Sequence, residues 1–470
     1  MNVDICVIGG GAGGLAVAAG AAQMGAKTVL LEKYKMGGDC LNYGCVPSKA
    51  LLAAGHAAQS VREADRFGIT ATDPTSRSKD IYGHVRAVIG AIEPNDSVER
   101  FEGLGVKVIE AAGKFVGRQE VEADGVRIKA RRIVVSTGST AFVSPIPGLN
   151  QVPYLTNETV FNRHQLPEHL IVIGGGPIGI ELAQAHRHLG CEVTVLEMVS
   201  IIPKDDAELV DVVRQQVLRD GLDAREGVKI IRIEPYADGV RVVLEKDGGE
   251  EVVDGSHLLV ATGRRPNVAG LDLEKAGIEY SDKGILVDAR LRTSNKKVFA
   301  IGDVTGGFLF THVAGYHASV VIKNALFHLP AKANHNNVPR VTYTAPELAQ
   351  VGLNEAGAKQ TGKDFRVLRW PFHENDRAQA EDATDGLIKA IITPKGHILG
   401  CGIVGAHAGE LIQPWVLAMS EKLKIGAMAT MIAPYPTFGE VSKRAASSFY
   451  TPSLFSDRTR KIVKFLSGFG

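Results

Sequence analysis

The sequence predicts an α/β fold in which one strand–turn–helix unit occurs twice and a C-terminal α+β segment follows. The first observation is a glycine-rich repeat, "ICVIGGGAGGLAVAAGAAQMGAKTVLLEK" at residues 5–33 and "LIVIGGGPIGIELAQAHRHLGCEVTVLEM" at residues 170–198. The second is a change of pattern after Pro339, where short apolar runs indicate antiparallel strands with helices between them. The third is the length of 470 residues, which is typical of about three domains.

Each copy of the repeat carries three glycines in G-x-G-x-x-G spacing between a buried-strand pattern and a helix pattern. These residues are Gly9, Gly11 and Gly14 in the first copy, and Gly174, Gly176 and Gly179 in the second. An acid, Glu32 or Glu197, stands 23 residues after the first glycine of each copy. Such glycines admit a pyrophosphate at a helix start, and such an acid accepts hydrogen bonds from a ribose. Two copies in register predict two Rossmann-like dinucleotide-binding domains, against the alternative of glycine turns that only pack helix on strand.

The acid of the second copy indicates which dinucleotide binds there. Glu197 would accept hydrogen bonds from a free 2′-hydroxyl and would repel a 2′-phosphate. No arginine follows it in "EMVSIIPKDD". The second site is therefore predicted to bind NADH rather than NADPH.

Composition excludes several classes of partner. The formal net charge of +1 gives no electrostatic case for nucleic acid. No apolar run reaches the roughly 18 residues of a membrane span. Five cysteines are an odd number, unlike a secreted disulfide framework, and the N-terminus lacks the basic leading segment of a secretory signal. We therefore expect a cytoplasmic protein.

Two of the five cysteines, Cys40 and Cys45, lie in "GGDCLNYGCVPSK" at residues 37–49. A regular helix would separate them by roughly 7.5 Å along its axis, beyond the Cα distance of about 7 Å that a disulfide tolerates. If their sulfurs meet, the backbone must bend around Gly44, and the bridge is either structural or redox-active. The remaining cysteines lie in apolar strand-like runs and are predicted core residues: Cys6, Cys191 and Cys401.

The sequence also contains three further motifs: "ATGRRPN", "GDV" and "YTAPELAQVG". Together with the motifs above, they make the chain resemble the class I pyridine nucleotide-disulfide oxidoreductases over essentially its whole length. This family includes dihydrolipoamide dehydrogenase, glutathione reductase and mercuric reductase. The resemblance implies a homodimer with FAD and NAD sites. It implies an FAD-binding domain whose first part is 1–150, an NAD-binding domain at 151–270, a second FAD-binding or central part at 271–337, and a dimerisation domain at 338–470.

The resemblance also implies the roles of residues around the flavin. Glu32 would bind the adenosine ribose, and Asp303, after Gly302, the ribityl chain. Cys45 would be the thiol beside the flavin and Cys40 the outer thiol that meets the substrate.

Three further positions follow from the same resemblance. Lys49 and Glu181 match the ion pair at the reacting edge of the flavin, and "THVA" at 311–314 matches a helix start facing its pyrimidine end. That helix start and Lys49 would lower the thiol pKa. Pro177 replaces the bulky side chain that covers the flavin in many relatives, so gating by that side chain is not expected here.

The family pattern breaks at "YPTFGE", residues 435–440. Disulfide-handling relatives carry His-Pro-x-x-x-Glu there, reaching into the partner subunit's site; this chain keeps Pro436 and Glu440 but has Tyr435 in place of histidine. Tyrosine titrates near 10 and histidine near 6.5, so Tyr435 is predicted to be a poor base. Loss of a general base typically costs about 10²–10⁴ in rate, and oxidation of a dithiol such as dihydrolipoamide should suffer most.

The predicted activity is therefore reduction of a small disulfide or thiophilic acceptor through a redox-active Cys40–Cys45 disulfide. One alternative is a mercuric-reductase-like enzyme, since those enzymes also carry the tyrosine and a soft metal binds thiolates directly. Against it, "FLSGFG" holds no cysteine pair, no N-terminal C-x-x-C domain is present, and Glu197 disfavours NADPH. A true dihydrolipoamide dehydrogenase is a further alternative within the enzyme class. From another class, the alternative is a redox-inactive, flavin-bound structural subunit.

Two segments of the C-terminal part receive separate predictions. The basic, amphipathic "DRTRKIVKFLSGFG" at 457–470 is expected to pack on its own domain, with contact to a membrane surface or a partner as the alternative. "HENDRAQAED", with His373, is expected to be a solvated loop rather than a metal site, and the resemblance puts Arg377 near the dimer interface. We predict no resident metal.

Overall fold

Apolar runs form the parallel sheet at the beginning of the chain, because strands covered on both faces need no polar alternation. The computed structural model describes residues 1–246 and 248–469. The elements up to residue 141 are β1 Asn2–Ile8, α1 Ala12–Gln23, β2 Thr28–Leu31, α2 Gly38–Asn42, α3 Cys45–Arg62, α4 Ser78–Ile92, α5 Val98–Gly103, β3 Val106–Ile109, β4 Lys114–Gly117, β5 Glu120–Ala123, β6 Val126–Val135 and β7 Ser139–Ala141. Strands β3, β2, β1 and β6 pair in parallel in that order, and β4, β5 and β6 form an antiparallel meander.

The second glycine-rich copy builds the same plan. Its elements are β8 His169–Ile173, α6 Pro177–His188, β9 Glu192–Leu196, α7 Ala207–Arg219, β10 Asp223–Arg225, β11 Lys229–Tyr236, β12 Gly239–Lys246, β13 Gly249–Gly255, β14 His257–Val260 and β15 Arg264–Pro266. Strands β9, β8 and β14 are parallel, and β11, β12 and β13 form an antiparallel meander. The predicted repeat and the α/β fold class are confirmed.

The chain then returns to the first sheet. The elements are β16 Tyr280–Ser281, β17 Gly284–Ile285, β18 Val298–Ala300 and α8 Thr311–Ala325. Strand β18 pairs in parallel with β6, with Phe299 opposite Val134. This pairing brings Gly302 and Asp303, which follow β18, to the carboxyl end of the first sheet.

The pattern change after Pro339 marks a separate antiparallel sheet. The elements are β19 Arg340–Thr342, β20 Glu347–Gly352, α9 Glu355–Gln360, β21 Arg366–Pro371, α10 Asp376–Ala380, β22 Leu387–Ile392, β23 Ile398–Gly405, α11 Ala408–Leu411, α12 Gln413–Ser420, α13 Ile425–Thr430, α14 Glu440–Ser448, α15 Thr451–Leu454 and α16 Asp457–Leu466. The strand order is β19–β20–β23–β22–β21. Trp415 is fully buried beside this sheet and donates its indole N–H to Ser442.

Contacts group the chain into two units. The first consists of Met1–Ala58, Thr75–Leu196 and Val228–Asn334, and the second of 59–74, 197–227 and 335–469. The predicted domain boundaries stay predictions. Among the described residues, no helix combines the length and the apolar run that a bilayer span requires.

One prediction about the C-terminal segment is wrong. The basic tail was expected to pack on its own domain, but no residue of α16 is buried, and its apolar side chains are exposed. The helical spacing of apolar residues shows that they share a face, but it does not show what covers that face. Gly470, the last residue of the predicted segment, lies outside the described residues.

Candidate active site

The first glycine-rich turn leaves room for a ligand at a helix start. Gly9 has a φ of +108°, and a Cβ there would lie 2.3 Å from the carbonyl oxygen of Ser136. A Cβ on Gly14 would lie 1.8 Å from the carbonyl oxygen of Gly9. Gly11 differs, because the nearest heavy atom to a Cβ there would be 3.8 Å away, and no side chain caps α1. The first N–H groups of α1 therefore suit a pyrophosphate.

The second turn has the same geometry. A Cβ on Gly174 would lie 2.5 Å from the carbonyl oxygen of Ala261, and one on Gly179 would lie 1.9 Å from that of Gly174. A Cβ on Gly176 would have no heavy atom within 4 Å, and again no side chain caps the helix. Pro177 begins α6, at a helix position that proline favours because its missing N–H would have no partner within the helix.

Glu32 lies against the first turn, directly after β2. One carboxylate oxygen accepts a hydrogen bond from the N–H of Gly10 at 2.6 Å, and the other accepts one from the N–H of Tyr34 at 2.7 Å. Each oxygen keeps a further lone pair, which a ribose hydroxyl can use. Glu197 accepts the corresponding hydrogen bond from Val199 at 3.0 Å. The roles of Glu32 and Glu197 at a ribose stay predictions.

A pair of glycines attaches the cysteine segment to the first turn. The N–H of Gly37 donates to the carbonyl oxygen of Gly10 at 2.9 Å. A Cβ on Gly38 would lie 2.7 Å from the Cα of Gly11. Only a residue without a side chain permits this approach, which brings Cys40, two residues further on, to the nucleotide turn.

The backbone bends between the two cysteines, as the sequence predicted. Helix α2 ends at Asn42 and α3 begins at Cys45. A Cβ on Gly44 would lie 2.8 Å from the carboxylate of Asp39, so the bend needs glycine. Both cysteines are thiols, and their side chains form a hydrogen bond with each other. The bend thus brings the two sulfurs together.

The surroundings of the pair shift the pKa values of its two thiols in opposite directions. The hydrogen bond from Cys40, with smaller contributions from Thr311 and Lys49, lowers the pKa of Cys45 to about 6, although burial and the Asp39 carboxylate act in the opposite direction. The same hydrogen bond, together with burial, raises the pKa of Cys40 well above its ordinary value. Thr311 begins α8, and its hydroxyl lies 3.4 Å from the Cys45 sulfur. At neutral pH Cys45 is therefore a thiolate that accepts the proton of Cys40 in a hydrogen bond.

Lys49 lies one helical turn after Cys45 on α3. Its Nζ is 2.7 Å from a carboxylate oxygen of Glu181, which is buried on α6. The two residues named from the family resemblance thus form an ion pair, and Lys49 contributes to the low pKa of Cys45. Their position beside a flavin stays a prediction.

A chain of contacts connects Asp303 with the cysteine segment. Ser139 donates to the Asp303 carboxylate at 2.6 Å, and Arg264 donates to the Ser139 hydroxyl at 2.8 Å. Arg264 also pairs with Asp39 at 3.0 Å. Burial raises the pKa of Asp303. Sequence reasoning did not identify these three partners. Two of them lie within motifs that it quoted, Arg264 in "ATGRRPN" and Asp39 directly before Cys40. Nothing in the sequence pointed to Ser139.

Tyr435 lies in the second unit, in the segment before α14, which begins at Glu440. Its side chain is 70% exposed, and its hydroxyl donates to the Asp376 carboxylate at 3.0 Å. This hydrogen bond raises the pKa of Tyr435 above its ordinary value. The phenol is therefore protonated at neutral pH and cannot accept a proton there. Whether Tyr435 and Glu440 act at a partner's cysteines stays a prediction.

Two family models match the chain. The pyridine nucleotide-disulphide oxidoreductase model matches residues 3–318, and the model of the dimerisation domain of the same enzymes matches residues 338–446.

The similar proteins differ in the acceptor that their names indicate. A mercuric reductase of Lysinibacillus sphaericus is 33% identical over 451 residues, covering 95% of this chain and 83% of that protein. A dihydrolipoyl dehydrogenase of Thermus scotoductus is 35% identical over 473 residues, covering 96% of this chain and 98% of the other. The Cu(II) complex of the HOCl-induced flavoprotein disulfide reductase RclA from Escherichia coli has a TM-score of 0.84 at 26% identity, covering 94% of this chain and 99% of that one.

Proposed function

Because the chain belongs to the pyridine nucleotide-disulphide oxidoreductase family, whose members are FAD-dependent enzymes that use NADH or NADPH, we propose that it is an NADH-dependent reductase. Its acceptor is a small disulfide or a thiophilic metal ion. The chain carries the dimerisation domain of the family, and the working unit is a homodimer. We also propose a cytoplasmic location.

The first unit suits FAD. The open space at Gly11, the uncapped start of α1 and the remaining lone pairs of Glu32 are what a dinucleotide needs. Asp303, at the carboxyl end of the same sheet, would hold the ribityl chain. When bound there, FAD would supply two-electron transfer between a nicotinamide and the cysteine pair. NADH is preferred over NADPH because Glu197 would repel a 2′-phosphate.

The observation that carries the proposal is the hydrogen-bonded Cys40–Cys45 pair, with its low pKa on Cys45. Thiol–disulfide exchange requires a thiolate. Cys45 can take the proton of Cys40 through their hydrogen bond, so that Cys40 becomes the attacking thiolate.

The cysteine pair supplies both electrons that reduction of a disulfide requires. Cys40 attacks one sulfur of the acceptor, forms a mixed disulfide and releases one thiolate. Cys45 gives up its proton to that thiolate and attacks the Cys40 sulfur, which closes the Cys40–Cys45 bond and releases the second thiolate. The acceptor gains two electrons, and the pair loses two.

Tyr435 affects which substrates the enzyme can use, because an enzyme accelerates both directions of one reaction alike. A disulfide whose thiols have a low pKa releases them as thiolates, so its reduction needs no proton donor beyond Cys45. Oxidation of an external dithiol requires a base to remove protons from it, and a phenol whose pKa is raised by Asp376 does not serve. We therefore propose that this enzyme is a poor dihydrolipoamide dehydrogenase.

A soft metal ion is the second candidate acceptor. Thiolates bind soft metals directly and need no base, so the tyrosine does not handicap this reaction. The similar mercuric reductase and the Cu(II) complex of RclA support it. A redox-inactive structural subunit receives no such support, because the thiol pair and the Lys49–Glu181 ion pair are intact.

Steady-state turnover tests the proposal. The FAD-loaded protein is assayed with lipoamide, glutathione disulfide, dihydrolipoamide, Hg(II) and Cu(II), with NADH and NADPH in parallel and NAD⁺ for the dithiol. We expect NADH-dependent reduction of a disulfide or a metal ion and weak oxidation of dihydrolipoamide. Dihydrolipoamide oxidation faster than every reduction would overturn the proposal.

A further inference from the structure

The C-terminal helix α16 presents an apolar face that no residue within 1–246 and 248–469 covers. All residues from 457 to 469 are exposed except Thr459, which is half-buried. The apolar side chains Ile462, Phe465, Leu466 and Phe469 follow the i, i+3, i+4, i+7 spacing of a single helix face. The rings of Phe465 and Phe469 contact each other, with centroids 5.1 Å apart. These four residues form the apolar face, with Phe469 just beyond the last residue of the helix, Leu466.

The helix is favoured by its own sequence rather than by packing. Ser456 caps its start by accepting a hydrogen bond from the N–H of Thr459 at 3.2 Å. Asp457 lies in the first turn and Lys464 in the last, where their charges suit the helix dipole. Isolated helices shorter than about 12–15 residues are nevertheless marginal in water. A helix of 10 residues with an exposed apolar face therefore calls for a surface that covers it.

The polar side of α16 is basic. By helical spacing, Arg460 and Lys464 lie opposite the apolar face and Lys461 lies at its flank. Arg458 lies one turn before Ile462, on the same side as the apolar face. Four basic and one acidic side chain give residues 457–469 a net charge of +3, in a chain whose formal net charge is +1. A cationic helix with low average hydrophobicity and a Phe/Leu face is typical of helices that lie in the headgroup region of an anionic membrane.

We propose that α16 docks the enzyme on the surface of an anionic lipid membrane, with the apolar face inserted and the basic side chains at the lipid phosphates. A second copy of the chain fits less well, because a symmetric contact between apolar faces would place Arg458 of both copies in the interface, where charged side chains are depleted. The match to the dimerisation-domain model also ends at residue 446, before α16 begins. Docking leaves the chemistry of the cysteine pair unchanged.

Sedimentation with lipid vesicles tests the proposal on the 470-residue, FAD-loaded protein. We expect it to sediment with vesicles of phosphatidylcholine and phosphatidylglycerol, but not with pure phosphatidylcholine, and to be released at high salt. Phe465→Ser/Leu466→Ser removes side chains that are 67% and 57% exposed and should abolish binding. The matched control Phe327→Ser/Leu329→Ser removes side chains that are 55% and 52% exposed and should bind as wild type.

A second pair of variants isolates the charge. Lys461→Gln/Lys464→Gln should weaken partitioning by roughly 30-fold at low salt, whereas Lys363→Gln/Lys395→Gln, at two exposed lysines elsewhere in the second unit, should not. Retained flavin and reductase activity show that each variant is folded. The proposal is overturned if wild type does not bind anionic vesicles. It is equally overturned if the control Phe327→Ser/Leu329→Ser loses as much binding as Phe465→Ser/Leu466→Ser. It is also overturned if Phe465→Ser/Leu466→Ser dissociates an assembly in sedimentation velocity without any vesicle binding by wild type, since a second copy then covers the face.

Discussion

The sulfur of Cys45 lies 3.4 Å from the hydroxyl oxygen of Thr311. Cys45 is the first residue of α3 and Thr311 the first residue of α8, so the starts of the two helices are in contact through these side chains. A helix start carries partial positive charge and N–H groups without helical partners. Lys49, held by Glu181, adds a full positive charge nearby. These groups, with the hydrogen bond from Cys40, explain why the negative charge of the reduced pair lies on Cys45.

The acidity of Cys45 gives a pH profile. In the reduced enzyme, its alkylation rate with iodoacetamide should rise with pH through a midpoint of about 6, because the thiolate forms above its lowered pKa. Thr311→Val removes one hydrogen bond to the thiolate and should move the midpoint up by about one pH unit. Ser319→Ala, which removes another hydroxyl of α8, is the control and should leave the profile unchanged. A wild-type midpoint near the ordinary value of about 8.5 contradicts the assignment.

Both cysteines of the pair are required for turnover. Cys40→Ser and Cys45→Ser should each lower NADH-dependent reduction of the acceptor by at least about 10³-fold, since either change prevents the disulfide from forming. Cys191→Ser is the control: this thiol is buried in the core, so its loss should affect stability and spare turnover. Substantial turnover by Cys40→Ser would show that the acceptor does not meet that thiol.

Replacing the tyrosine should restore the missing base. Tyr435→His is expected to raise dihydrolipoamide oxidation by about 10²-fold or more, because imidazole accepts a proton near neutral pH. Tyr435→Phe removes the hydroxyl that binds Asp376 without adding a base, and should change dithiol oxidation little. Steady-state rates measure both variants. A collapse of dithiol oxidation in Tyr435→Phe would show that the phenol does act in proton transfer.

The choice of nicotinamide cofactor should depend on one carboxylate. Glu197→Gln removes the charge that repels a 2′-phosphate, so the ratio of kcat/KM for NADPH to that for NADH should rise by about tenfold or more. Glu192→Gln, at an exposed glutamate at the start of β9, should leave the ratio unchanged. A wild-type enzyme that prefers NADPH would contradict the reading of Glu197.

The parts of the fold that depend on local pattern could be predicted from the sequence. The spacing of Gly9, Gly11 and Gly14 and the apolar runs beside them specify a turn between strand and helix, and Gly44 between two cysteines specifies a bend. Contacts between segments far apart in the sequence could not be predicted from local pattern. Thr311 lies 266 residues from Cys45, and only family resemblance pointed to it.

Other features gave no readable signal. Ser139 is a single hydroxyl in an ordinary strand, and its bond to Asp303 depends on how β7 and β18 are brought together by the fold. For α16, helical spacing identified the residues that share a face, but whether a face is covered depends on tertiary packing, which no local pattern records.

The central claim is that electrons from a nicotinamide reach the Cys40–Cys45 disulfide. The most direct measurement is an anaerobic titration of the oxidised, FAD-loaded enzyme with one equivalent of NADH, followed by alkylation and mass analysis of its peptides. We predict that Cys40 and Cys45 both become alkylated and that a long-wavelength thiolate–flavin absorption band appears, which Cys45→Ser lacks. Consumption of NADH that leaves both cysteines unmodified would contradict the account.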